Sequence, residues 1–117
     1  MPKHSLKHLE DNEFIIKNFD RLSLPIQHLI ASDKIPNNLL TCICEICYNI
    51  QKRILPLTEE QKKKLMKYKS GVRTLGNHSS TKLIKRKKVK QVGRGLLPIL
   101  FSIVTPIISR LLTSLRK

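Results

Sequence analysis

The sequence predicts an all-α protein: a small helical module over residues 1–76, a disordered basic linker over 77–95 and an apolar C-terminal helix over 96–117, kinked at Pro106. Three observations lead there. Apolar residues in the first 76 positions recur at steps of three and four, and no alternating strand pattern of useful length interrupts them. Pro25, Pro36 and Pro56 cut that region into helix-sized pieces. Charge is segregated: residues 1–60 hold seven Lys/Arg against eight Asp/Glu, a net of −1, whereas residues 61–117 hold sixteen Lys/Arg and no acid. The formal charge of +15 therefore arises in the second half, the pattern of a folded module with a polyanion-binding arm.

The first helix is expected within residues 4–19, with Leu6, Leu9, Ile16 and Phe19 as its apolar members. Ser23 can cap a short helix through Ile30, with Pro25 in its first turn. Asn37 or Asn38 can cap the next, over residues 39–54. Its stripe is Leu39, Ile43, Ile46, Cys47, Ile50 and Ile54, and Glu45, Asn49 and Lys52 fall off it. Thr58-Glu59-Glu60-Gln61 is a capping box opening one helix through Leu75, with Leu65, Tyr68, Val72 and Leu75 on its apolar face. Gly76-Asn77 is its expected stop.

From residue 77 to 95 the chain is charged and poor in core-forming residues, so it is expected to be disordered when free. The apolar stretch 96–115 starts with Pro98 in its first turn. Its length is about that of a spanning helix, but Pro106 and Arg110 weaken that reading. A core or assembly helix, an interfacial helix and a segment removed by proteolysis stay open beside it.

The chemistry expected is charge neutralisation. Lysine and arginine neutralise phosphates and release counterions, so affinity falls steeply with salt. The contacting set is Lys62, Lys63, Lys64, Lys67, Lys69, Arg73, Lys82, Lys85, Arg86, Lys87, Lys88, Lys90 and Arg94. Phe14, Phe19, Tyr48, Tyr68 and Phe101 are scattered and suit apolar stripes better than base-stacking platforms. Cys42, Cys44 and Cys47 include one C-x-x-C, but no second pair completes a zinc site and the nearest histidine is His28. Core packing is the expected role, with no metal and no cofactor. His4 and His8 share a helix face without a third ligand. No nucleophile elbow, phosphate loop or carboxylate pair is present, and no enzyme is expected. The N-terminus lacks the apolar core of a signal peptide, and three clustered cysteines fit a reducing compartment.

One order of features points to a family. Arg86-Lys87-Lys88, then Gly93-Arg94-Gly95-Leu96-Leu97-Pro98, then an apolar stretch broken by Pro106, resembles the precursors of adenovirus core protein X, the mu protein. The longer pattern resembles the small lysine-rich proteins of Polinton or Maverick elements and adintoviruses. It runs through Cys42-Ile43-Cys44-Glu45, Asn49, Leu57, Lys63-Lys64-Leu65, Tyr68-Lys69, Arg73, Leu75, Lys87-Lys88 and Gly95-Leu96-Leu97-Pro98. The resemblance covers residues 39–108. It implies a virion core protein that condenses double-stranded DNA, placed in the virion and host nucleus; a membrane-active or tail-anchored protein, and an assembly adaptor whose helical module docks on capsid proteins while the basic arm holds DNA, stay open beside that role. It also implies a protease cut between Arg94 and Gly95. Two features depart from the family: the basic run is rich in lysine rather than arginine, and Gln91 stands where the protease prefers a large aliphatic residue.

Overall fold

A computed structural model describes residues 3–53, 55 and 57–115, with side chains described within 7–110. Ile54 and Pro56 lie outside the described residues, as do the side chains of His4 and Leu6. Among the described residues the chain is all helical, without strands: α1 (Lys3–Asp11), α2 (Glu13–Asn18), a 3-10 turn (Phe19–Arg21), α3 (Leu24–Ile30), α4 (Asn37–Gln51), α5 (Glu59–Met66), α6 (Lys69–Leu75) and α7 (Lys82–Leu115).

The expected first helix is two. Asn12 leaves helical geometry (φ −113°, ψ 12°) and its amide donates to the His8 carbonyl at 2.8 Å and to Asn38 Oδ1 at 2.8 Å. An Asn that satisfies the backbone locally competes with the helix, which explains the break. Asn38 in turn donates to Asp11 Oδ2 at 3.2 Å, and that bond, more than the nearby Lys7, holds the Asp11 carboxyl below its ordinary range. Asn38 thus ties α4 to the end of α1 and does not cap α4, which follows Pro36 and has no side-chain cap. Ser23 precedes α3 with Pro25 in the first turn, as expected, but makes no capping bond.

The capping box at α5 is complete. Gln61 N donates to Thr58 Oγ1 at 3.1 Å and Thr58 N to Gln61 Oε1 at 2.9 Å. The expected single helix then breaks at Tyr68 (φ −114°, ψ 25°), whose N–H closes a tight turn on Leu65 O at 2.8 Å. Across the break Leu65, Val72 and Leu75 stay buried and Tyr68 half-buried. Gly76 ends α6 with φ −83°, not in the left-handed region. A Cβ there would lie 2.9 Å from Tyr48 N and 3.0 Å from the Cys47 carbonyl carbon, so glycine serves close approach to α4.

Residues 82–95 form the first half of α7, where a disordered linker was expected. Thr81 caps the helix through its Oγ1, 3.2 Å from Ile84 N. Val89 is fully buried, and the Arg86 guanidinium donates to the Asp33 and Ile35 carbonyls and to Asn37 Oδ1. Long-range contacts offset a composition that would not sustain a helix alone. Pro98 lies far inside α7, not in a first turn, and the helix continues through Pro106. Both prolines are exposed, so the carbonyls four residues earlier, which lose their amide donors, sit on the side of the helix that water reaches.

The core joins all these elements. α4 is central: Leu39, Ile43, Ile46 and Cys47 are buried on the expected stripe, but so are Cys42, Cys44 and Asn49 off it. Asn49 is fully enclosed, and neither amide atom has a hydrogen-bond partner among the described residues. Leu96, Leu97, Leu100, Phe101, Ile103, Val104 and Ile108 of α7 enter the same cluster as Leu9, Ile16, Phe19 and Val72. The boundary drawn at residues 76 and 95 therefore runs through a shared core.

Candidate nucleic-acid interface

α6 packs against α7. Built onto the glycine backbones, a Cβ at Gly71 would meet Val92 and Leu96, and one at Gly95 would collide with the Tyr68 hydroxyl. The Gly93-Arg94-Gly95 motif is thus a helix-packing device: Gly93 rests on Ala31 and Gly95 on Tyr68. Arg94 and Gly95 sit in continuous helix, so a protease would have to open α7 to reach that bond.

Because α5 and α6 both pack on α7, the two stretches rich in cations come from neighbouring helices. Lys62, Lys63, Lys64, Lys67, Lys69 and Arg73 are exposed on or between α5 and α6. On α7, Lys82, Lys87, Lys90 and Arg94 are exposed, whereas Lys85, Arg86 and Lys88 are half-buried. Their surroundings differ. Lys62 lies 3.3 Å from Glu59 and Lys64 3.8 Å from Glu60, exposed pairs of one helix turn that hold little energy against salt. Lys90 stands 4.0 Å from Asp33. Arg86 is turned inward by its three acceptors and serves as a clamp between α7 and the α3–α4 loop. The sequence pattern offered no sign of this, because those partners lie about fifty residues away.

The first turn of α7 has no acid, and cations crowd the positive end of the helix dipole. Such an arrangement is poorer in energy than the same charges on a C-terminal turn, and an anion bound over it relieves both the dipole and the mutual repulsion.

The chain has no match to any family model, to any curated protein or to any solved structure. Its chemistry rests on its own geometry.

The cysteines meet no such surface. Cys42, Cys44 and Cys47 are free and buried in α4. Burial raises the Cys42 thiol from its ordinary 9.0 to about 12 and Cys44 to about 11, with Glu45 adding to both and Lys85 opposing it at Cys44. Cys47, fully enclosed, is pushed up further. Thiols held neutral in this way are poor nucleophiles and poor metal ligands.

Proposed function

We propose that this protein binds and condenses double-stranded DNA without sequence preference, as a non-enzymatic virion core protein acting in a reducing intracellular compartment and the host nucleus. The observation that carries the reading is the pairing of two acid-poor cationic surfaces, α5–α6 and the first half of α7, on adjacent helices. Their exposed members, including Lys63, Lys67, Lys69, Arg73, Lys82, Lys87 and Arg94, offer charge without the fixed donor pattern that reads base edges. In this reading the basic segment meets DNA as a helix already clamped by Arg86, and capsid proteins contact the remaining surface.

The test is affinity for two unrelated duplexes over a range of salt. With roughly eight phosphates contacted, the log–log slope is near −7. A flat salt response, or strong preference for one duplex, overturns the proposal.

A membrane-active or tail-anchored protein is the second reading, favoured by one observation: the stretch Lys82–Arg110 is long and apolar enough to cross a bilayer. Burial of Leu96, Leu97, Leu100 and Phe101 against α1–α6 weighs against it, because those side chains already have an apolar environment.

A further inference from the structure

The turn between α6 and α7 builds a cleft that duplex binding does not need. The close approach of Gly76 to α4 carries the following residues back over that helix, and the His78 imidazole stacks on the Tyr48 ring. The ring centroids are 4.2 Å apart and the planes 17° from parallel. Lys52 Nζ lies 5.7 Å from the Tyr48 centroid. Arg73 of α6, with Gln51 and Asn77, completes a solvent-open cleft of about 400 Å³. Among the described residues no carboxylate lines it. Asn77 Oδ1 accepts from Ser79 N at 2.9 Å, which fixes that side chain at the rim.

We infer that this cleft binds a nucleotide, with the base stacked on His78 and the phosphate held by Lys52 and Arg73. Three features support this assignment. The volume falls in the range of small-molecule sites, roughly 300–1,000 Å³. His78 is exposed, so a base can extend the stack that Tyr48 begins, and stacking accepts any base because each has a π-face. Arg73 brings a planar fork suited to phosphate oxygens and Lys52 a compact charge over the Tyr48 ring. The α5–α6 and α7 cations neutralise a backbone; this cleft takes an unstacked nucleotide, such as a strand end or a free mononucleotide.

The experiment uses the full chain and follows the His78 and Tyr48 ring resonances by NMR during titration with dAMP, inorganic phosphate or deoxyadenosine. Saturable dAMP binding, at least about ten-fold tighter than either fragment, is the expected result, since two recognition elements act together. His78→Ala weakens dAMP about five-fold or more, the lower bound for one stacked base, and leaves duplex affinity unchanged. Lys52→Gln, at an exposed position, weakens dAMP and phosphate together. Phosphate binding as tightly as dAMP reduces the site to charge alone and overturns the inference. So does undiminished dAMP binding by His78→Ala, which leaves the stack as packing of the turn. A protein that binds dAMP but shows a flat salt response with duplex retains this site and loses the condensation reading.

Discussion

Replacing Phe101 by Ala asks which environment the second half of α7 occupies. Phe101 is 2% exposed and meets Phe19 edge to face, centroids 5.3 Å apart at 74°. Truncating a buried phenylalanine costs about 3–5 kcal/mol through lost transfer energy and the cavity left behind. The aromatic pair accounts for about 0.5–1.5 kcal/mol of that, which a double-mutant cycle with Phe19→Ala isolates. A domain of 117 residues has a total stability of roughly 6–18 kcal/mol, so the loss is a large fraction of it. At about 2.1 cal/mol/K per residue, the unfolding entropy is about 0.25 kcal/mol/K, and Tm falls by roughly 12–20 °C. Thermal and urea unfolding of the full chain, followed by far-UV circular dichroism without detergent, measures both quantities. A fall in Tm below about 3 °C refutes the core assignment, because a side chain awaiting lipid contributes little to the soluble fold. Loss of liposome binding in the same variant would then favour the membrane reading.

Arg86→Ala is expected to cost roughly 1.5–3 kcal/mol and to speed amide exchange over residues 82–90, because three acceptors lose a charged donor. Lys87→Ala, at an exposed position, should leave stability within about 0.5 kcal/mol and reduce the salt slope by about 0.9. Equal behaviour of the two variants would remove the clamp. Gly76→Ala should destabilise by about 1–3 kcal/mol by pushing on the α4 backbone, although alanine is otherwise the better helix residue; a stabilised variant contradicts that contact. The buried thiols make the fold alkali-sensitive. Their folded pKa values are raised, so their contribution is whole below the ordinary 9.0 and is lost as pH rises toward about 11 and 12. Urea midpoints should fall through that window, and less so in Cys42→Ala when each variant is referenced to its own neutral-pH midpoint.

Local rules were enough to read the helical class, the start of α3 and both bonds of the Thr58–Gln61 capping box, because each depends on residues within a turn of one another. Period alone also picked out Leu65, Val72 and Leu75 as buried. Core packing of Cys42, Cys44 and Cys47 was also legible, but periodicity misjudged Asn49 in α4, which is enclosed because helices cover α4 on more than one side. Composition misjudged residues 82–95. Their charge argues for disorder, yet Val89 reaches the core and Arg86 reaches backbone carbonyls fifty residues earlier in the chain. Gly76 stops α6 as expected and also serves close approach to α4, while the glycines at 93 and 95, which read as linker signals, serve as contact points between helices, a role that depends on what faces them. The cationic character of the second half was visible in the bare chain, since charge is a property of composition. Which cations face outward, and which aromatic ring His78 covers, depended on tertiary packing, because side chains thirty to fifty residues apart meet only when helices dock.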